Sequence, residues 1–261
     1  MNNFIINKFF YLRINKNLVL GFTKRAGKNC FGRKTIFTQS GGYKLRLNSV
    51  DYKRILPFPF VLISIKQDSK VTGFLGLVCY LNGFFSYILL PHLNDYKFGE
   101  ILPGFVKFFV KNASTFLKNV PNGNFVHHVE LVSGNGAKLC RAAGCSAFII
   151  GNDKMFSFLK MRSGWLIKIF KFNICVIGIV SNINHHIKNI GKAGNSRKLG
   201  IRPKVRGVAM NPCDHPHGGG EGTGSPPRAH KTPWGKLCKS PTKVKKEFLL
   251  KKKRFKVFKK K

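Results

Sequence analysis

The stretch GFLGLVCYLNGFFSYILL, residues 73–90, decides the fold class. Its length and apolar character would suit a helix that crosses a membrane. However, Asn82-Gly83 divides it into two apolar runs that are rich in aromatic and branched residues. An Asn-Gly pair between such runs is a strong hairpin signal, because a type I′ turn needs positive φ at both central positions. The pattern therefore predicts two core strands, 74–81 and 84–90, and no membrane span.

Segments of similar style extend on both sides of this hairpin. Residues 32–104 contain short apolar stretches separated by Gly and Pro, a pattern typical of a small barrel or sandwich. Further along the chain, strands are predicted for AFIIGND (147–153), WLIKIF (165–170) and ICVIGIV (174–180), the last of them fully buried. Together these strands predict a second small barrel.

The sequence predicts four consecutive parts with little helix. Two short helices are expected, at 137–142 and near 183–191. The four parts are a basic N-terminal extension (1–31), a first barrel (32–104), a second barrel (105–190) and a basic tail (191–261).

Charge restricts the function more than any other property of the composition. The chain has 47 Lys and Arg against 9 Asp and Glu, a formal net charge of +38. Such an excess repels itself in a compact chain unless a polyanion neutralises it. Residues 192–261 hold 21 of the basic residues and three acids, so this tail is expected to remain extended until it meets a partner. Nucleic acid is the favoured polyanion, and an anionic membrane surface is the alternative.

The cysteines give no support for a metal or redox site. There are seven of them, without any CxxC pair. A zinc site built from Cys213, His215, His217 and Cys238 would use acceptable ligands, but their spacing is irregular. We therefore expect no resident cofactor.

A glycine- and histidine-rich segment lies inside the basic tail. Gly218-Gly219-Gly220 lacks every Cβ, so its backbone can approach a phosphate or base closely. No Lys-Ser/Thr pair follows, which argues against a nucleotide-hydrolysing phosphate loop. His215 and His217 could stack on bases or bind phosphate. Asp214 could orient His215 as a general base, or hold a hydrated Mg²⁺ ion that bridges to RNA.

This segment also carries a family resemblance. VRGVAMNPCDHPHGGGEG (205–222) closely resembles the signature of the universal family of large-subunit ribosomal protein two, in its bacterial type. IGKAGNSRKLGIRPKVRG (190–207) and HKTPWGKLCKSPTK (230–243) resemble the flanking runs of that family. Weaker similarity is found in GRKTIFTQSGGYKLRLNSVDYKR (32–54), YILLP (87–91), VHHVEL (126–131), LCRAAG (139–144) and LKMRSG (159–164).

The resemblance implies a fold and a set of partners. The fold is all-β, an OB-like barrel followed by an SH3-like barrel, with extended basic N- and C-terminal tails. The implied partners are the rRNA of the large subunit near the peptidyl transferase region, neighbouring ribosomal proteins, and the small subunit across a bridge. The chain is then not an enzyme, and His215 remains the one weak candidate for a catalytic group.

From the motifs and the charge pattern we expect a broad RNA-binding set. Its members are Arg33, Lys44, Arg46, Lys53, Arg54, Arg141, Arg162, Lys192, Arg197, Arg202, Lys204, Arg206, Asn211, His215, His217, Gly218, Gly219, Gly220, Arg228, Lys231, Trp234 and Lys236. Trp234 could equally stack on a base or seal the junction between barrel and tail.

Two other function classes stay open at this point. One is a free-standing nucleic-acid-binding regulator with tandem barrels, and the other is a hydrolase that uses Asp214 and His215. The abundance of Phe, Lys, Asn and Ile indicates an AT-rich coding sequence, and the N-terminal residues lack the pattern of a cleavable presequence. This composition favours a mitochondrial ribosome, with a plastid-type organelle or a bacterial cytoplasm as alternatives.

Overall fold

A computed structural model describes residues 17–92, 99–220, 222, 229–238 and 249–252. These residues form two compact units. The first unit contains 17–22, 45–92, 99–188 and 249–252. The second contains 23–44, 189–220, 222 and 229–238. Residues 23–44, which the sequence divides between the extension and the first barrel, thus fold with the basic tail.

The regular secondary structure of the first unit is almost entirely β, which confirms the all-β class. Two short 3₁₀ helices, Leu117–Asn119 and Ile183–Ile187, interrupt it. Its strands are β1 (Val19–Phe22), β2 (Leu45–Asn48), β3 (Phe60–Gln67), β4 (Phe74–Tyr80), β5 (Phe85–Leu89), β6 (Ile101–Leu102), β7 (Ser114–Phe116), β8 (Phe125–His127), β9 (Val129–Glu130), β10 (Ala137–Leu139), β11 (Ala147–Asn152), β12 (Phe156–Met161), β13 (Trp165–Phe170), β14 (Ile174–Ile177) and β15 (Leu249–Lys252).

Two larger sheets lie mainly in the segments 32–104 and 105–190, for which the sequence predicts barrels. The first is four-stranded, in the order β5-β4-β3-β6, and the second is seven-stranded, in the order β15-β13-β12-β11-β8-β14-β7. The pairs β1-β2 and β9-β10 form two small antiparallel ribbons.

The predicted hairpin is present, with a different turn. β4 and β5 pair antiparallel, and the Tyr80 N–H donates to the Phe84 carbonyl over 2.8 Å. Gly83 has a φ of +84°, whereas Asn82 is not among the described residues with positive φ. The turn is therefore a three-residue loop with glycine in the left-handed position, and the type I′ prediction was wrong. The Asn82 side chain instead accepts the Phe84 N–H through Oδ1.

The four-stranded sheet is covered on both faces, which explains the long apolar run. Leu62, Val78 and Ile88 pack into one cluster, and Leu77 and Leu89 pack into the other. A strand that is buried on both sides carries apolar residues continuously rather than alternately. The run that resembles a membrane helix is therefore the interior hairpin of a β-protein. No helix in the described part of the chain is long and apolar enough to cross a membrane.

The second sheet confirms the predicted strands and corrects a predicted helix. β11 and β13 coincide with the expected segments, whereas β14 covers only the first four residues of the predicted strand 174–180, and every residue of β14 is buried. Residues 137–142 were expected to be helical, but Ala137–Leu139 forms β10 and pairs with β9. A long-range contact outweighs the local helical pattern here, because the Ala137 N–H donates to the Tyr52 carbonyl over 2.8 Å. Near 183–191 the structure has the single 3₁₀ helix Ile183–Ile187.

One buried carboxylate holds several turns of the second sheet together. Glu130 is 1% exposed. Its carboxylate accepts the N–H of Gly136 at 2.9 Å, of Ile174 at 3.1 Å and of Gly134 at 3.3 Å. Its backbone carbonyl accepts the Asn173 side-chain amide at 3.2 Å. A single side chain thereby fixes the β9–β10 turn and the start of β14.

Arg54 is a correction to the predicted RNA-binding set. Arg54 is 3% exposed, and its guanidinium carbon lies over the Phe60 ring, 5.6 Å from the ring centroid. A group that is enclosed in this way cannot reach a phosphate.

The two histidines beside Arg54 are held in the neutral form. Burial strongly lowers the pKa of His127, with a smaller contribution from His128 and Arg54. Burial also lowers the pKa of His128 to about 3, assisted by the charges of Arg54 and Arg141.

The neutral state of His128 makes stability depend on pH. The unfolded chain takes up this proton near pH 6.5, but the folded chain does so only near pH 3. Stability is therefore full above about pH 6.5 and falls as the pH drops towards 3. Between pH 7.5 and pH 5 the free energy of unfolding should fall by about 2 kcal/mol less in the His128→Asn variant than in the native chain. Asparagine also tolerates the left-handed φ of +52° at this position.

Urea unfolding at the two pH values measures this effect. His186→Asn is the matched control, because His186 is exposed in the 3₁₀ helix. The assignment fails if His128→Asn retains the full pH dependence of the native chain.

Candidate nucleic-acid interface

The second unit combines high positive charge with the lack of an apolar core. Its described residues include six cations in 23–44, six in 189–220 and two in 229–238, against the single acid Asp214. Its regular structure is limited to α1 (Ala193–Lys198) and the 3₁₀ turn Gly207–Ala209. Among its described residues, His215 is the only buried side chain. Backbone hydrogen bonds and close glycine contacts, rather than apolar burial, hold this unit together.

Residues 38–43 are attached to the end of α1 by backbone hydrogen bonds. The Arg202 N–H donates to the Thr38 carbonyl at 2.9 Å, and the Ser40 N–H donates to the Gly200 carbonyl at 3.0 Å. Gly42 lies so close that a Cβ there would be 2.5 Å from the Lys198 carbonyl oxygen. Two segments about 160 residues apart in sequence thus form one surface. Sequence reasoning missed this pairing because a polar long-range contact leaves no periodic pattern.

His215 has an internal role that differs from the predicted one. The residue is 8% exposed, and its ring fills the space above Gly207, where a Cβ would be 2.5 Å from the imidazole. Its Nδ1 accepts the His217 N–H at 3.0 Å. The His217 Nε2 in turn accepts the Lys231 N–H at 2.9 Å. The two imidazoles therefore connect residues 205–219 with 230–238, and His215 is not presented outward for stacking on a base.

The three consecutive glycines divide into two roles. A Cβ on Gly218 would lie 2.2 Å from the Asn211 carbonyl oxygen, and one on Gly219 would lie 2.5 Å from the Pro212 ring. These two glycines are therefore required by packing inside the loop. A Cβ on Gly220 would have no neighbour within 4 Å, and the φ of Gly220 is +90°. Only Gly220 offers the open backbone that the sequence suggested for all three.

Most side chains of the predicted RNA-binding set are exposed. Trp234 is 58% exposed and stacks on Phe37, with ring centroids 6.0 Å apart. Arg141 lies over the Tyr52 ring at 4.9 Å, and Arg162 donates to the Gly144 carbonyl at 3.2 Å. Arg228 lies outside the described residues. The exposed polar members are Arg33, Lys44, Arg46, Lys53, Arg141, Arg162, Lys192, Arg197, Arg202, Lys204, Arg206, Asn211 and Lys236, while Lys231 is half-buried.

The described residues do not support a resident metal centre. Nowhere among them do three or more His, Cys, Asp or Glu side chains come together in a way that could hold a metal ion. The conceivable zinc set of Cys213, His215, His217 and Cys238 is therefore not assembled. Asp214 is exposed, so a Mg²⁺ ion bridging it to RNA remains a prediction.

The structural role of His215 can be measured directly. We expect His215→Ala to speed hydrogen exchange at the His217 N–H at least about tenfold in the full chain, because its acceptor and the packing above Gly207 are both lost. Asp214→Asn, a change in an exposed neighbouring side chain, is the control and should leave the rate unchanged. Equal exchange rates in the two variants would show that the imidazole does not hold the loop.

Fold and site together define a class of protein: a small all-β protein with a cation-rich segment whose shape is set by its own glycines and histidines. The model for "Ribosomal Proteins L2, C-terminal domain" matches residues 112–235. The large ribosomal subunit protein uL2 of Wolbachia pipientis from Culex pipiens is 43% identical over 232 residues, covering 86% of this chain and 82% of the relative. The uL2m protein of Reclinomonas americana is 41% identical over 238 residues, covering 89% and 85%.

A further relative is the uL2 protein of Cereibacter sphaeroides, 43% identical over 227 residues and covering 86% of this chain and 80% of its own. The chain belongs to the uL2 family of large ribosomal subunit proteins. It is accordingly a structural component of the ribosome and not an enzyme, which removes the hydrolase interpretation of Asp214 and His215.

Proposed function

We propose that this chain binds the rRNA of the large ribosomal subunit through its second unit, near the peptidyl transferase region, and that it supports association with the small subunit. The observation that carries the proposal is the excess of exposed cations over acids in that unit. Arg197, Arg202 and Arg206 are exposed on a backbone that the unit itself fixes in place. Guanidinium groups suit this task because they bind phosphate through two parallel hydrogen bonds and also stack on bases.

A preformed backbone lowers the entropic cost of binding RNA. The His215–His217–Lys231 hydrogen bonds and the attachment of residues 38–43 set the shape of the unit before any partner is present. Fewer backbone torsion angles then have to be ordered on binding, which improves affinity without adding contacts. The repulsion among the cations is relieved when phosphates neutralise them and release counterions.

The salt dependence of RNA binding tests this proposal. The full chain is titrated with the large-subunit rRNA of its own source at several salt concentrations. Changing Arg197, Arg202 and Arg206 together to Gln should lower the slope of log K against log salt by about two to three. The matched control changes three exposed lysines of the first unit, Lys107, Lys138 and Lys154, to Gln. A slope that responds equally to both triple variants would contradict a binding site in the second unit.

We also propose that the ribosome concerned is mitochondrial. The support is compositional, since 25 Phe residues together with abundant Lys, Asn and Ile indicate an AT-rich coding sequence. The mitochondrial relative of Reclinomonas and the bacterial relatives are similar to this chain to nearly the same degree. Sequencing of purified organelle DNA tests the proposal. A coding gene found in plastid DNA or in a bacterial chromosome would overturn it, and one found in a nuclear chromosome would remove the compositional support for it.

A further inference from the structure

The outer surface of the seven-stranded sheet is aromatic, and the proposed function makes no use of it. Val126, Ile149, Leu159, Ile167 and Ile169 point into the core. The residues that alternate with them point away from the core. We define the aromatic face as Phe125, Phe148, Phe156, Phe158 and Phe170 on the strands, together with Phe116 and Phe172 at its side.

Strand register brings the rings of the aromatic face together in pairs. Phe148 lies opposite Phe125, and Phe156 lies opposite Phe170. The ring centroids of Phe125 and Phe148 are 5.4 Å apart, and those of Phe170 and Phe172 are 5.3 Å apart. A chain of edge contacts then leads from Phe172 to Phe116 at 6.3 Å. The rings thus form two groups on the same side of the sheet, Phe125 with Phe148 and Phe156 with Phe170, Phe172 and Phe116.

This surface is open to solvent at several points. Phe125 is 47% exposed and Phe172 is 36% exposed. Ile150, the additional residue of the bulge in β11, is 46% exposed, and Met155 in the following turn is 51% exposed. Exposed aromatic and aliphatic groups that share one side of a sheet mark an interaction site, because isolated proteins seldom leave large apolar patches uncovered.

Lysines surround the rings and give the face a positive charge. Lys168 Nζ lies 4.0 Å from the Phe156 ring centroid. Lys118 Nζ lies 4.7 Å from the Phe172 centroid, and Lys171 Nζ lies 5.5 Å from it. Asp153, in the turn between β11 and β12, is the acid nearest to the face in sequence. A partner that complements this face must therefore bring both apolar groups and negative charge.

The occupied ring faces decide between two such partners. A nucleobase stacks on a free aromatic face, but here lysine ammonium groups already lie over the rings of Phe156 and Phe172, and Phe170 contacts both of these rings. Aliphatic side chains can instead pack between the rings, with carboxylates pairing to the lysines at the rim. We infer that the aromatic face is the docking surface for a segment of another protein that carries apolar residues flanked by Asp or Glu.

Zero-length crosslinking tests this inference on the native protein. Complexes are purified through an affinity tag on this chain and treated with a carbodiimide, which joins lysine amines directly to carboxylates. We expect Lys118, Lys168 or Lys171 to be joined to Asp or Glu in an apolar segment of a different protein. Crosslinks only to carboxylates of this chain would overturn the inference, as would ultraviolet crosslinks that join this face to RNA.

A binding measurement then separates docking from chance proximity. The crosslinked segment is synthesised as a peptide and titrated with the full chain. Phe158→Thr with Phe170→Thr should weaken binding at least about tenfold, because threonine keeps the strand while removing the ring. The control pair is Leu81→Thr with Phe84→Thr, both exposed at the hairpin tip of the other sheet. Equal binding by the two double variants would overturn the inference. This test does not depend on where rRNA binds, so its outcome is separate from that of the proposed function.

Discussion

Replacing Glu130 by Gln is expected to destabilise the first unit by about 3–5 kcal/mol. The carboxylate accepts three backbone N–H groups in an interior that water does not reach. Glutamine keeps the shape of the side chain but replaces one oxygen with an NH₂ group, which faces donors and cannot accept from them. At least one buried N–H then loses its partner, and the charge that strengthened the other bonds is lost as well. Total stabilities of domains are about 5–15 kcal/mol, so this one exchange removes a large fraction.

Urea unfolding at pH 7.5, followed by near-ultraviolet circular dichroism, measures the loss. Asp153→Asn makes the same chemical change in an exposed turn and should cost less than about 0.5 kcal/mol. If the two variants were equally stable, the three hydrogen bonds of Glu130 would contribute nothing net. Such a result would show that the turns of the second sheet form without the carboxylate.

Gly218→Ala is expected to weaken binding to rRNA about thirtyfold or more. The new Cβ would collide with the Asn211 carbonyl, which is backbone and cannot turn aside. The loop would have to open, and the bonds from the Gly218 N–H to His215 and from the Gly219 N–H to Met210 would be lost. Overpacking of this kind costs about 2 kcal/mol or more, which corresponds to that loss of affinity.

Gly220→Ala separates internal packing from direct contact with RNA. Its Cβ meets open space, so the expected cost is the strain of positive φ, about 1 kcal/mol and about fivefold in affinity. Filter binding of the full chain to large-subunit rRNA compares the two variants. A greater loss for Gly220→Ala than for Gly218→Ala would mean that the glycines act mainly by letting RNA approach the backbone.

Local patterns predicted the sheets well because the strands carry their own signals. The apolar segments that became β4, β5, β11, β13 and β14 were all recognisable from composition and turn residues. Of the two segments predicted to be helical, 137–142 contains the strand Ala137–Leu139 instead, because Ala137 pairs with Glu130 in β9 and donates its N–H to the Tyr52 carbonyl. Such contacts join residues that are far apart in sequence, and no short window of sequence contains both partners.

The basic tail shows where sequence reasoning about chemistry falls short. The sequence singles out the glycines and histidines of this segment, but the type of residue alone does not reveal what it contacts. His215, Gly218 and Gly219 serve the internal structure of the loop, whereas Gly220 is open. Arg54 likewise has the charge of an RNA-binding residue but lies in the interior. Only burial and distance distinguish these residues from the exposed cations beside them.

The pairing of β15 with β13 has a consequence for the way this protein is made. Leu249–Lys252 supplies one outer strand of the second sheet, although the rest of that sheet lies before residue 178. During synthesis about seventy residues must therefore be added after β14 before β15 can join the sheet. In that interval β13 has an unpaired backbone edge, which is a template for association with other chains. Truncation before Leu249 would make that temporary state permanent and would expose the newly made protein to aggregation.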